Sequence, residues 1–417
     1  MREYFVNTDF DSSLCVAKEN GDVSEKRNAG GEASPANSPA ETPDNAYLRE
    51  MPWHFMFAAH SDESVLVHLP LPPDFRAYLQ AKGMSLPHTV LHPAFTPEAE
   101  FVPFGWNAQA VKLAARYARP PEVPDLAAVK TANARAFALD LERAWFPGTC
   151  RGRVIENMSA LIDFLSTRSE SEGWVAKGDH GYAGTANRRL TGGPLSEEDV
   201  PRIEPLFAAH GSVVLEPWDD RLLDMAMLFR VTAQGTAEEF GGHGLRNSRD
   251  GAFLGVEVAP DRMPPASWSD ELRDHAARLA IALSRLGYIG PVGVDAYVHR
   301  TPAGPGLRPL VDINARLSMA MPAHGLAHRL PKRFIRWSWH KPRKLRMPAS
   351  YAELETLLGS MAFDAKKREG ILAVSPLFRE DGTDAKPKRV GFALIAADAT
   401  GLESLQSAFD LGLGRTP

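Results

Sequence analysis

Residues 309–319 read PLVDINARLSM, and residues 293–298, a short way upstream, read GVDAYV. Both alternate apolar with polar side chains at the two-residue period of a β-strand, and Asp312 and Asn314, two positions apart, share one face. The intervening TPAGPG, residues 301–306, is rich in turn formers, so the two strands are expected to pair antiparallel and bring Asp295 beside Asp312 and Asn314. Two carboxylates and an amide oxygen among Val, Ile and Leu would be costly to bury without a cation. They suit a hard divalent ion, Mg²⁺ (or Mn²⁺), which prefers oxygen ligands and keeps water and phosphate oxygens in its shell. Arg316, two residues further on, offers a clamp for an anionic oxygen.

Two other segments carry polar residues of the same kind. WVAKGDHGYAG, residues 174–184, places Lys177 at a strand end followed by Gly178, Gly181 and Gly184. Glycines let backbone N–H groups close over phosphate oxygens, and a lysine supplies the point charge a triphosphate requires. VVLEPWDDRLLD, residues 213–224, is an apolar strand that delivers Glu216, then a kink at Pro217, then Asp224 at the start of another strand. A strand edge of this kind can read an adenine through backbone groups, and a nearby acid can accept from ribose hydroxyls. Taken singly, each segment also reads as an ordinary hairpin with solvated charges.

The surrounding pattern is α+β with a mostly antiparallel sheet: a helix over 129–143, strands near 173–177, 212–218, 223–231 and 252–258, then an amphipathic helix. Leu272, Ala276, Leu279, Ala280, Leu283 and Leu286 form the apolar face of that helix, with Ser267 and Asp270 as a capping box. A small α/β unit is expected over 1–125, carrying a disordered insertion at 19–46 that lacks large apolar side chains. PPEVP, residues 120–124, marks its end; a second domain spans 126–330, and 331–417 reads as an extension packed on it.

Composition excludes several classes. A net charge of -5 argues against a protein whose main partner is nucleic acid. The segment 329–346 holds eight Lys or Arg with Trp337 and Trp339, and reads as a basic surface offsetting acidic neighbours. Two cysteines, Cys15 and Cys150, are too few for a disulfide framework or zinc site. There is no apolar run of membrane-spanning length and no secretory leader pattern, so a cytoplasmic protein without membrane partner is expected. Walker A, His-Glu-x-x-His and Gly-x-Ser-x-Gly signatures are absent. The loop FGGHGLRNSRDG, residues 240–251, reads equally as an acceptor-substrate contact or a solvated turn. PFGWN, residues 103–107, reads as a turn in which Asn107 caps the next helix and Trp106 is core.

In this order the segments resemble the ATP-grasp superfamily over residues 126–330. DINARLSM is similar to the metal-binding strand of carbamoyl phosphate synthetase and biotin carboxylase, and LEPWDDRLLD to the adenine hinge of D-alanine:D-alanine ligase and its relatives. The resemblance implies an ATP-grasp fold behind a small pre-ATP-grasp domain. It implies that Lys177, together with Lys130 in VKTANARAF, holds ATP phosphates under a loop containing Gly181 and Gly184. It further implies that Glu216 and the backbone of Pro217 and Asp219 read the adenine, and Asp224 the ribose. Asp295, Asp312 and Asn314 would bind one or two Mg²⁺, and Arg316, with Lys177, would act on the reacting carboxylate. Gly293, where the D-alanine ligase type carries arginine, sets that subgroup aside, and Asp312 stands where the family commonly has Glu. The activity implied is an ATP-dependent carboxylate–amine ligase working through an acyl phosphate on small molecules such as amino acids or peptides, with a homodimer as the plain expectation for its assembly. A small-molecule kinase on the same scaffold and a catalytically silent ATP-binding regulator are the alternatives.

Overall fold

A computed structural model describes residues 1–7, 9–14, 46–148, 150–167, 173–181, 186–248, 251–261, 266–379 and 386–414. Ala46 apart, the insertion expected at 19–46 lies outside these, as do Gly184, Cys15 and Arg249. The chain begins with four short strands, β1 (Arg2–Phe5), β2 (Ser64–Val67), β3 (His88–Leu91) and β4 (Glu100–Pro103), all parallel in the order β3-β2-β1-β4. Glu3 is buried in their midst, and its carboxylate accepts from Ser64 Oγ, Thr96 N and Oγ1, and Tyr117 OH, which offsets its desolvation. Asn107 caps the helix Ala108–Ala114 by accepting from Ala110 N, and Trp106 is buried, both as expected.

A second sheet, order β5-β8-β6-β7, is antiparallel: β5 (Arg153–Ile155), β6 (Trp174–Gly178), β7 (Asn187–Leu190) and β8 (Val213–Pro217). It has its own small core around Leu161, Leu165, Ile203 and Leu215. The third sheet is larger and also antiparallel, in the order β13-β12-β9-β10-β11-β14-β16-β15. Its strands are β9 (Arg221–Val231), β10 (Ala237–Asn247), β11 (Phe253–Val258), β12 (Gly290–Thr301), β13 (Gly304–Asn314), β14 (Phe334–His340), β15 (Gly370–Ala373) and β16 (Val390–Ala396). The helix Ala266–Leu286 packs on it through Leu272, Leu279, Ala280 and Leu283, all buried.

Three elements differ from the sequence reading. The helix read over 129–143 is two helices, Leu126–Ala132 and Arg135–Trp145, broken at Asn133, which donates back to Val129 O and accepts from Ala315 N. The presumed turn FGGHGLRN is part of β10. The basic segment after 331 contains β14, which with β15 and β16 extends the large sheet. Its Trp337 is fully buried, and Arg336 pairs with Glu257 and Glu403.

Candidate active site

A cavity of about 330 Å³ opens between the small antiparallel sheet, the large sheet and the N-terminal unit. On one wall, β6 and β8 are registered so that Val175 faces Glu216, and Lys177 therefore lies diagonally beside Glu216 on the same face. Lys177 Nζ donates to Glu216 Oε2 at 2.7 Å, both side chains being almost fully buried. The same carboxylate oxygen accepts from Arg308 Nη1 at 3.0 Å, and Arg308 also grips both oxygens of Glu142 at 2.7 and 2.6 Å.

The helix Arg135–Trp145 explains this layout. Arg135 and Glu142, seven residues apart, lie two turns apart on one face. Against them β13 presents Asp312 and Arg308, so Arg135 Nε donates to Asp312 Oδ2 at 3.2 Å while Glu142 takes Arg308. Arg135 Nη1 also donates to Gly178 O, tying the helix to the end of β6. Gly181 leaves room there, since a Cβ at that position would come within 2.8 Å of Ala186 Cβ and 3.3 Å of Arg135 Nη1.

On the facing wall Asp295 and Asp312 are direct cross-strand partners in β12 and β13, as the alternation required. The register slips just beyond them, around Pro309, which has no N–H to give to the ladder. Asn314 Nδ2 lies 3.5 Å from Asp295 Oδ2, and its Oδ1 accepts from Arg316 Nη2 at 3.0 Å. Strand β13 ends at Asn314, so Arg316 turns back from a bend rather than standing on the strand face as the alternation implied. It also donates to Asp11 Oδ1 at 2.8 Å and to Leu317 O.

The charges respond unequally. Burial alone would push the Glu216 carboxyl up, but Arg308 and Lys177 overcome it and hold it well below the usual carboxylate range. Burial draws the Lys177 ammonium down, against the pull of Glu216 and Asp312. Burial, with Asp312 alongside, pushes Asp295 up to about 7. Asp295 is therefore short of positive charge, whereas Glu216 is well supplied with it.

No protein-family model matches the sequence, and no curated protein matches it. Solved structures do. N5-carboxyaminoimidazole ribonucleotide synthetase from Thermus thermophilus aligns over 100% of this chain and 99% of its own, at 12% identity and a TM-score of 0.52. Carboxyaminoimidazole ribonucleotide synthase from Aspergillus clavatus, complexed with ATP, aligns over 86% of this chain and 100% of its own, at 13% identity and a TM-score of 0.51. The biotin carboxylase domain of the Hydrogenobacter thermophilus 2-oxoglutarate carboxylase, in complex with MgADP and bicarbonate, aligns over 84% of each chain at 10% identity and a TM-score of 0.50. The chain has the ATP-grasp fold.

Within the ATP-grasp cleft, Lys177, Gly181, Asp224, Asp295, Asp312, Asn314 and Arg316 all line the one cavity. Lys130 does not: it is exposed near the end of its helix, and its carbonyl meets His180 Nε2 at 3.1 Å. The Glu216 side chain is engaged by Lys177 and Arg308. Pro217 ends β8, and the Asp219 carboxylate takes Tyr297 OH at 2.7 Å and pairs with Arg151. Between them Trp218 faces the cavity, flanked by Arg189 and Arg221 over its ring. Asp224 pairs with Arg221 at 3.0 Å. Arg135, Glu142 and Arg308 were not singled out from the sequence. Only the seven-residue spacing of Arg135 and Glu142 on one helical face hinted at them.

Proposed function

We propose that this ATP-grasp chain is an ATP-dependent, ADP-forming ligase that joins a small-molecule carboxylate to an amine through an acyl phosphate. The observation that carries the reading is the opposition, within one cavity, of Lys177 and Arg135 to the paired acids Asp295 and Asp312. The donor set fits a divalent ion: two carboxylates in register, one pushed up by burial and by the other acid, with the Asn314 amide beside them, its Oδ1 now accepting from Arg316. Asp295, Asp312 and Asn314 would hold Mg²⁺ (or Mn²⁺), which supplies positive charge to phosphoryl oxygens.

The protein's own residues do the rest by placement. Lys177 and Arg135 give fixed positive charge at the phosphates, Trp218 gives a flat wall for the base, and Asp224 an acceptor for ribose hydroxyls. A guanidinium has five N–H donors; Arg316 uses three on Asp11, Asn314 and Leu317, and the other two can meet the carbonyl oxygen of the reacting acid. A carboxylate oxygen of the first substrate attacks the γ-phosphorus, and the bond to the β,γ-bridging oxygen breaks to release ADP. The amine nitrogen then attacks the acyl carbon, phosphate leaves, and the ammonium proton passes to solvent. Purified protein given ATP, Mg²⁺ and a panel of amino acids and short peptides should release ADP and phosphate in equal amounts with a new amide. A stable phosphorylated product in place of the amide, or no ADP with any pair, would overturn the reading.

A further inference from the structure

The end of the cavity away from Lys177 has a different character. Leu245, Phe253, Val256 and Trp339 line it with apolar surface, and the Phe253 and Trp339 rings pack 5.5 Å apart. Trp339 Nε1 donates to Nδ1 of the buried His54 at 3.1 Å, which fixes the indole and requires His54 Nδ1 to be unprotonated. Across the ladder Trp339 faces Gly391, so Arg389, two residues back along the same chain, emerges on the same side of the sheet as the indole.

Five cations line the cavity. Arg135 pairs with Asp312, Lys177 with Glu216, Arg221 with Asp224 and Arg316 with Asp11. Arg389 is half-buried and makes no ion pair or hydrogen bond among the described residues. Its charge is felt at His54 and at His340. A guanidinium taken partly out of water in a wall it shares with indole and phenyl rings, with no carboxylate paired to it among the described residues, is unfavourable until an anion arrives.

We propose that this end of the cavity binds the anionic head of an otherwise apolar, preferably aromatic, substrate, with Arg389 on the anion and Trp339 and Phe253 on the body. This rests on the ligase reading only in naming the ligand a substrate; the binding itself needs no nucleotide. The anion is a carboxylate or a phosphate monoester, since a guanidinium fork fits both.

The test is calorimetric titration of the full-length protein, without ATP, using 3-phenylpropionate, phenyl phosphate, acetate and phenethylamine, on wild type, Arg389→Ala and Arg389→Lys. One of the two aromatic anions should bind at least tenfold more tightly than acetate or phenethylamine, and which of them wins identifies the head group. Arg389→Ala should weaken that binding at least tenfold, Arg389→Lys should restore part of it, and the melting temperature of Arg389→Ala should match wild type because no ion pair among the described residues is lost. Equal binding to wild type and Arg389→Ala, binding of acetate as tight as that of the aromatic anions, or no binding of either aromatic anion would overturn the proposal. If Arg389-dependent binding is found while no substrate pair releases ADP, the anion site stands and the ligase reading falls.

Discussion

Arg308, on β13, and Arg389, just before β16, lie toward opposite ends of the large sheet and illustrate opposite states of charge compensation. Arg308 is gripped by Glu142 and Glu216 and donates also to Tyr297 OH, and these partners hold its proton more tightly than usual despite burial. Arg389 lines the cavity with no such partner among the described residues. Asp295 and Asp312 stand between these extremes: one shares Arg135, while the other is pushed toward neutrality. Groups that complete one another within the chain build the cleft, and groups left short of charge mark where a ligand completes them.

The contrast can be broken most forcefully at Arg308. Arg308→Met leaves Glu142 and Glu216 facing each other without their shared cation, and should cost about 3–5 kcal/mol of stability, read as a lowered urea midpoint. A loss below about 1 kcal/mol would mean that the network does not hold the two sheets together.

A change at Lys177 sharpens the same contrast from the functional side. Lys177→Met should lower ADP formation about 10²- to 10³-fold, the range seen when one charge-stabilising donor is removed from an active site. Glu216 keeps Arg308 in this variant, so stability should fall less than in Arg308→Met. An unchanged rate would remove Lys177 from the phosphates.

A smaller effect follows from the wall beside Arg389. Burial first, and the Arg389 charge second, lower His54 to about 3 in the folded protein. A base whose folded value lies below its unfolded value near 6.5 takes up its proton more readily when unfolded. Its contribution is therefore complete above about pH 6.5 and is lost as pH falls toward 3, with about 2 kcal/mol gone at pH 5. The difference in melting temperature between pH 7 and pH 5 should shrink in His54→Gln, whose amide oxygen can still accept from Trp339 Nε1. A pH profile identical to wild type would show that His54 titrates normally.

What the sequence revealed and what it hid divide along contact range. The period-two alternation of PLVDINARLSM and GVDAYV carried enough information to set Asp295 against Asp312 and Asn314, because hairpin neighbours are fixed by local pattern and a short turn. Lys177 was legible as the polar end of an apolar strand. Arg135, Arg308 and Arg389 were not, since an arginine in a helix or strand reads as solvated until a partner far along the chain comes into contact; Arg308 meets Glu142 across 166 positions. Strand β14 was hidden for a related reason. Its Arg336 and neighbouring basic residues look like a surface patch, and only Glu257 on β11 and Glu403 on the C-terminal helix make them structural. Strand β10 was masked by its glycines, which suggest a turn although the strand continues through them, with a register shift between Glu239 and Gly241, and pairs with both β9 and β11. The break at Asn133 is another case, since its amide is satisfied by Ala315, 182 residues away.

On the proposed function, Asp295, Asp312 and Asn314 are completed by a divalent ion that arrives with ATP. Calorimetric titration of ATP, with and without Mg²⁺, into wild type and the Asp295→Asn/Asp312→Asn double variant tests it directly. Wild type should bind ATP at least tenfold more tightly with Mg²⁺ than without, and the double variant should lose that dependence while still binding ATP. ATP binding that ignores Mg²⁺ in wild type, or a Mg²⁺ dependence untouched by the double substitution, would contradict the account.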